Sequence, residues 1–307
     1  MVLMRLVDMH QDLAFSSMRM DVFQKAEQSN ISMLRDLESC VIFGSIFPHI
    51  PLVTGQQGDA SMVTTPSRDM LLNQILFYRK MCRDESLGHV TSRANLENPG
   101  INILFALEGT DSLIANSDID MLHTLGVRSC GLTWNYDTKF ASSCHSKKDY
   151  GLTGSGEKLV DDCNRLGIAV DLAHSSKKTI LDTCSISSRP VLFSHGNVSS
   201  LDAHVRNIDD QSIDAICSTG GLIGITAIPQ TLGREPSIER MVKHATYVGE
   251  NFGWEHVAIG SDFLGIESTP KGFENVGKLS QLREMLGPHA EAVLYENALR
   301  ALRQILQ

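Results

Sequence analysis

Eight short apolar runs alternate with longer segments of helical pattern along the chain. Most of these runs are continuously apolar rather than alternating with polar residues, which is typical of parallel strands covered on both faces. The predicted strands cover residues 2–8, 41–47, 102–107, 127–133, 168–172, 190–194, 222–227 and 257–262. Eight strands connected by helices predict an α/β fold of the (β/α)8 TIM-barrel type, formed by residues 1–307 as a single domain.

The segments between the predicted strands carry the apolar spacing of helices. The clearest is the segment 155–166, where Ser155 can cap the start and Gly167 can end the helix. Further helices are predicted for residues 68–84, 118–125, 177–184, 210–218, 238–251 and 288–306. The polar segment 54–66, rich in Gly and Thr, is predicted to be a long loop over the strand ends.

Composition narrows the class of protein. The formal net charge is −9 and no basic stripe is present, so no nucleic-acid partner is expected. The seven cysteines include no CxxC pair and indicate free thiols in a reducing compartment. No stretch approaches the length of a membrane span, and no signal sequence is recognisable at the N terminus. The expectation is a cytoplasmic protein without a membrane partner.

Two potential metal ligands follow the first predicted strand. His10 and Asp12 are two residues apart, so in an extended chain their side chains point the same way and can reach one metal ion. This pattern is frequent by chance, and the alternative is a strand-end histidine that bonds the backbone. The pair gains weight only from the residues that follow other strands.

Glu108, His174 and His195 each follow a predicted strand. Taken singly, the glutamate is more often a helix cap and the histidines more often belong to a core. Two metal ions about 3.5–4 Å apart need a bridging anion, which a glutamate can supply. Mixed nitrogen and oxygen ligands suit Zn²⁺ and tolerate Co²⁺ or Mn²⁺. The recurrence at strand ends favours one metal centre.

Two further residues are candidates for contact with a substrate. Asp262 follows the last predicted strand and can act as a general base and acid, or simply cap the next helix. Arg206 lies after the sixth predicted strand and can bind a substrate carboxylate, although most loop arginines are merely solvated.

The order of these residues resembles the membrane (renal) dipeptidase family of zinc peptidases, a branch of the amidohydrolase-like barrels. The resemblance runs from residue 8 to about residue 265. Beyond the ligands, it is carried by the segments 151–153 with 164–167 and 171–174, 193–207, and 260–263, which are specific collectively.

The resemblance implies two zinc ions per chain. It implies that one ion is bound by His10 and Asp12 and the other by His174 and His195. It implies that Glu108 bridges the two ions. It also implies that Asp262 is the proton shuttle and that Arg206 contacts the dipeptide. The family hydrolyses dipeptides, often with a D residue at the C-terminal position, and suggests a homodimer.

The chain departs from the family at Trp134, where well-known mammalian members carry a histidine thought to hold the oxyanion. An indole cannot be a cation, so that role is not carried over. Trp134 and Asn135 are instead predicted to bind the substrate, with Trp134 as the wall of an apolar subsite. His145 on the same loop is a weak substitute. The expectation is also a form without the secretion signal and lipid anchor of the animal members.

The predicted function is therefore a binuclear zinc dipeptidase, in which a hydroxide held by two zinc ions attacks the peptide bond of a small dipeptide. The alternative on the same scaffold is an N-acyl-amino-acid or lactam amidohydrolase. Deaminase, phosphotriesterase and dihydroorotase types are disfavoured, because they typically begin with HxH and often use a carbamylated lysine as the bridge. A barrel that only binds ligands is a further alternative.

Overall fold

The computed structural model describes residues 4–53 and 63–307. Within these ranges eleven strands occur, numbered in chain order: Arg5–Gln11 (β1), Ser39–Ile46 (β2), His49–Val53 (β3), Val63–Pro66 (β4), Gly88–His89 (β5), Gly100–Leu107 (β6), Val127–Gly131 (β7), Ala169–Asp171 (β8), Leu192–Gly196 (β9), Leu222–Ile225 (β10) and Val257–Ile259 (β11). All eight predicted strands are among them. The predicted residues 2 and 3 lie outside the described residues.

Eight parallel strands close into a barrel. Their neighbour order is β2-β1-β11-β10-β9-β8-β7-β6, and β2 pairs with β6 to complete the ring. This closing pair runs in register from Ser39 opposite Gly100 to Ile46 opposite Leu107. Helices surround the strands, so the predicted (β/α)8 TIM barrel is confirmed.

The same ranges contain ten α-helices: Leu13–Ser16 (α1), Ile31–Leu34 (α2), Arg68–Asp84 (α3), Asp118–Leu125 (α4), Gly154–Leu166 (α5), Lys177–Ile186 (α6), Asp210–Ser218 (α7), Ile238–Phe252 (α8), Leu279–Leu286 (α9) and Asn297–Ile305 (α10). The helix predicted for 288–306 is interrupted by a π-helical turn at Ala292–Glu296 before α10 begins. None of these helices has the length and apolar character needed to cross a membrane.

Two sequence predictions about helix and loop ends were wrong. The side chain of Thr153, not Ser155, caps α5 and accepts a hydrogen bond from the Gly156 N–H. Gly167 ends that helix in the left-handed region, as predicted, with φ 70°. The predicted loop 54–66 ends in a strand instead, because β4 pairs antiparallel with β3. Residues 54–62 of that prediction lie outside the described residues.

The interior of the barrel is apolar and leads directly to the site. Val41 and Phe43 of β2, with Leu104 and Ala106 of β6, belong to one buried cluster that includes residues of α10. Side chains alternate along a strand, so Glu108 continues the interior row of β6 at its C-terminal end. The C-terminal end of the barrel is where catalytic groups sit in this fold.

The first strand breaks this alternation at the site. Met9 belongs to the interior cluster, yet the next residue, His10, also reaches Glu108. The pairing of β1 with β2 shifts register between Asp8 and Gln11. Such an irregularity redirects a side chain and here allows His10 to enter the site from within β1.

Candidate metal centre

Three histidines and three carboxylates converge at the C-terminal end of the barrel. Glu108 lies between the histidines: its Oε2 is 3.4 Å from His10 Nε2, and its Oε1 is 3.2 Å from His174 Nε2 and 3.8 Å from His195 Nε2. The two oxygens of Glu108 thus face different histidines. The structure brings together the residues predicted as ligands.

The remaining two carboxylates surround His10. Its Nε2 is 3.5 Å from Asp12 Oδ2 and 3.6 Å from Asp262 Oδ1, and it is a buried atom without a hydrogen-bond partner. Donor atoms of His10, Asp12 and Asp262 lie within 4.8 Å of one another, a spacing that fits one cation. Asp262 therefore stands among the potential ligands of this position, as well as at the edge of the cleft.

The proton positions on His174 follow from its neighbour. His174 Nδ1 is 2.8 Å from Asn135 Oδ1. The amide oxygen accepts, so Nδ1 carries the proton and Nε2 of the neutral ring has a lone pair. Asn135, which the sequence predicts to bind substrate, thus orients a ring of the centre.

His195 is held in the same tautomer by a longer chain of hydrogen bonds. The Ser194 hydroxyl donates to Asp171 Oδ2 at 2.5 Å, so its oxygen can accept from His195 Nδ1 at 2.9 Å. His195 Nε2 therefore also has a lone pair, and it lies 3.1 Å from His174 Nε2. Fixing a ligand histidine through its other nitrogen is the usual arrangement behind a metal ion.

In these tautomers three acceptor atoms face one another. The nitrogens of His174 and His195 and Oε1 of Glu108 are buried, and each presents a lone pair to the same space. Repulsion among them is relieved by a cation. The donor set therefore fits a divalent metal ion with nitrogen and oxygen ligands.

The electrostatic environment agrees with this assignment. Burial and the Arg206 charge lower the pKa of His174 to about 3, and burial with the His10 charge takes the pKa of His195 well below its usual value. Burial also lowers the pKa of His10, but Glu108 and Asp12 outweigh it and raise that pKa well above its usual value. Two of the three imidazoles are thus neutral and ready to bind a cation at neutral pH.

Two site residues have an uncommon backbone conformation. His174 has φ 65° and Asp262 has φ 62°, in the left-handed region that non-glycine residues seldom adopt. The Asp262 N–H donates to the His10 carbonyl at 3.1 Å, which helps to hold this conformation. Such strain costs about 1–2 kcal/mol per residue and is common at functional sites.

Sequence reasoning missed the buried residues that support the ligands. Asp8 accepts hydrogen bonds from the Ser261 N–H at 2.8 Å and from its hydroxyl at 2.6 Å. Asp171 does the same with Ser194, at 2.9 Å and 2.5 Å. We call these two pairs the Asp–Ser bridges. A signal was present, because an aspartate inside an apolar strand needs buried partners.

An open cleft of about 560 Å³ lies over the centre. Its lining includes Asp262, Arg206 and Trp134, three residues predicted to contact substrate. Arg206 is only 3% exposed and Trp134 only 6%, so both are built into the walls. His145 is exposed on its loop and is not among the residues that line this cleft.

Comparison with known proteins agrees with the resemblance seen in the sequence. Dipeptidase tcpJ of Claviceps purpurea is 32% identical over 214 residues, which are 66% of this chain and 50% of that protein. Dipeptidase verJ of Clonostachys rogersoniana is 38% identical over 184 residues, 58% of this chain and 47% of that protein. The matches span about half the length of these curated relatives.

The fold is shared with solved structures. A metallo peptidase from Rhodobacter sphaeroides, liganded with a phosphinate mimic of the dipeptide L-Ala-D-Ala, superposes with a TM-score of 0.85 at 20% identity and covers 99% of each chain. A model of the membrane dipeptidase family matches residues 1–307. The chain therefore belongs to the membrane dipeptidase family, peptidase family M19.

Proposed function

We propose that this chain is a metal-dependent dipeptidase that uses two divalent cations, zinc in the first instance. One observation carries the proposal: His174 Nε2, His195 Nε2 and Glu108 Oε1 converge in a buried space, and the hydrogen bonds at both Nδ1 atoms favour the tautomers with a lone pair on each Nε2. A bound cation would relieve the repulsion among these three acceptors. The family and the cleft above the centre supply the expected class of reaction.

The residues divide into two sets around Glu108. His174 and His195 would hold one cation and His10 with Asp12 the other, and Glu108, whose two oxygens face different histidines, would be shared by both. Bound cations of this kind acidify a water molecule and polarise a carbonyl group. Ser45, whose hydroxyl donates to Glu108 Oε2 at 3.0 Å, orients the shared carboxylate.

Asp262 is the residue that we assign to proton transfer. It lines the cleft, yet its Oδ1 is only 3.6 Å from His10 Nε2. A carboxylate in this position can accept a proton at the centre and release it to the leaving amine of the substrate. Its 7% exposure leaves it open to the cleft but largely shielded from bulk water.

Arg206 is the residue that we assign to the α-carboxylate of the dipeptide. Its side chain is buried in the wall of the cleft, where a guanidinium binds a carboxylate more strongly than on an open surface. Because the Rhodobacter sphaeroides structure holds a mimic of L-Ala-D-Ala, we include a D residue at the second position among the substrates of this chain.

The test is a rate comparison on the purified protein with its metal content measured. We expect hydrolysis of L,L and L,D dipeptides, loss of activity with a chelator, recovery with Zn²⁺, and two zinc ions per chain. Faster hydrolysis of N-acyl amino acids than of dipeptides would favour the N-acyl amidohydrolase alternative. Two bound cations without hydrolysis of any amide would contradict an enzymatic role.

A further inference from the structure

One side of the cleft is made of aromatic rings. Phe15, Phe47 and Trp134 form a separate buried cluster, which we call the aromatic wall. The Phe47 ring centroid lies 5.2 Å from that of Phe15 and 4.9 Å from that of Trp134. All three residues line the cleft.

The aromatic wall is fixed from behind. His49 is fully buried and stacks on Phe47 with ring centroids 4.7 Å apart. The side chain of Gln74 forms two hydrogen bonds with the Phe47 backbone: it accepts from the N–H at 2.9 Å and donates to the carbonyl at 2.6 Å. The wall therefore presents a preformed apolar surface rather than a collapsible one.

The barrel topology places Phe47, the central ring of the wall, opposite Arg206. Phe47 follows β2 and Arg206 follows β9, and these strands are four positions apart in a ring of eight, in either direction. Trp134 follows β7, two positions from β9, and its ring is 6.0 Å from the His174 ring. The rings of the wall line one cleft with Glu108, His174 and Arg206, so a substrate can touch the wall, the centre and Arg206 at once.

The order of groups along a dipeptide then sets its orientation. With the α-carboxylate at Arg206 and the peptide bond at the centre, the first residue extends toward the opposite side of the cleft. We propose that the aromatic wall binds the side chain of the first residue, and that this chain selects dipeptides whose first residue is large and apolar or aromatic. This inference rests on the proposed dipeptidase function.

The apolar surface of the wall favours large apolar side chains at the first residue of the dipeptide and does not merely accommodate them. An aromatic or long aliphatic side chain would lose contact with water against three fixed rings, which is favourable. The two phenylalanine rings offer no hydrogen-bond partner, and the charged group beside them is Arg19, whose guanidinium lies 5.1 Å from the Phe15 ring centroid and which lines the same cleft. The wall therefore favours large apolar side chains over small ones.

The test compares kcat/KM for Phe-Ala and Ala-Ala by the zinc-loaded full chain. We expect Phe-Ala to be preferred over Ala-Ala by at least about tenfold, the usual size of a hydrophobic-pocket effect. In Trp134→Ala the ratio of Phe-Ala to Ala-Ala should fall toward one, and in Trp134→Phe it should fall by less.

The second tryptophan provides a matched control. Trp254 stacks on His289 with ring centroids 3.9 Å apart and lies just before β11 begins, at the end of the barrel away from the site, so Trp254→Ala should leave the ratio at its wild-type value. Zinc content and circular dichroism of each variant show whether it has folded. Dipeptide hydrolysis with a ratio near one, or a wild-type ratio in folded Trp134→Ala, would overturn the inference while the dipeptidase function stands. Absence of hydrolysis of every dipeptide would overturn both.

Discussion

The two halves of the centre are built from different chemistry. The half at β8 and β9 consists of His174 and His195, both neutral and each fixed through its Nδ1 atom. The half at β1 consists of His10 and Asp12, with Asp262 beside them, and its imidazole keeps a proton because carboxylates surround it. One half is therefore ready for a cation, whereas the other must first release a proton.

The hydrogen bonds that hold the backbone of the two halves are, by contrast, nearly the same. In both Asp–Ser bridges a strand aspartate accepts from the backbone N–H and the hydroxyl of a serine, Ser194 within β9 or Ser261 just after β11. The serine in turn precedes a site residue, His195 or Asp262. The difference is that the Ser194 hydroxyl also contacts the His195 imidazole, whereas the Ser261 hydroxyl accepts a hydrogen bond from the Phe263 N–H. Both serines therefore support the backbone, but only Ser194 also fixes the position of a proton, the one on His195 Nδ1.

The largest effect is expected where the halves meet. Glu108→Ala removes the carboxylate that faces both halves, so metal content and activity should be lost together. Metal analysis and hydrolysis rates on the same sample check this. Glu108→Gln keeps the size and removes the charge, and it should be nearly as severe. Retention of two cations by the alanine variant would show that the halves are independent.

Asp262→Asn should lower kcat by about 10²–10⁴-fold, the usual contribution of a general acid or base, and keep both cations. The amide has the size of the carboxylate but cannot carry the proton. Wild-type turnover would contradict the proton-shuttle role. Loss of one cation per chain would show instead that Asp262 is a ligand of the β1 half.

Ser194→Ala and Ser261→Ala form a matched pair that compares the Asp–Ser bridges. Ser194→Ala removes the acceptor of His195 Nδ1, so zinc affinity should fall about 10–100-fold at one of the two positions. Ser261→Ala breaks the other bridge without touching a ring and should weaken zinc binding much less. Competition with a chelator of known affinity measures both. Equal losses would mean that the bridges act only through the backbone.

The smallest effect is a difference in pH dependence. The pKa of His10 is raised, so its proton is bound at neutral pH, and zinc affinity at the β1 half should fall about tenfold for each pH unit of acidification. The pKa of His174 is about 3, and that of His195 is also low, so affinity at their half should change little between pH 7 and pH 5. Titration calorimetry in buffers of different ionisation enthalpy counts the protons released. Equal proton release in both binding steps would contradict this difference.

The barrel could be predicted because its strands are continuous apolar runs with polar residues at their ends, a local pattern that reports a global fold. Short elements could not be predicted in this way. The helices α1 and α2 have four residues each, too few to show a helical period. The strand β4 depends on pairing with β3, which is not encoded within residues 63–66 themselves.

The candidate site was predictable in its residue types but not in its proton positions. His10, Glu108, His174 and His195 could be chosen from their places at strand ends. The tautomers depend on Asn135 and Ser194, whose hydrogen bonds appear only when loops and neighbouring strands are in place. The left-handed backbone at Asp262 likewise depends on its contact with β1.

The pairing of β1 with β11 joins the first and the last strand of the barrel in chain order, with Asp8 opposite Ile259, and the Asp262 N–H donates to the His10 carbonyl. During synthesis His10 leaves the ribosome long before Asp262 exists, so the complete cation site can assemble only after the last strand has docked. A metal ion that needs ligands from both strands would bind the finished barrel, and at free concentrations about 1,000-fold above Kd it would stabilise that barrel by about 4 kcal/mol. Metal binding would therefore depend on the docking of β11 against β1.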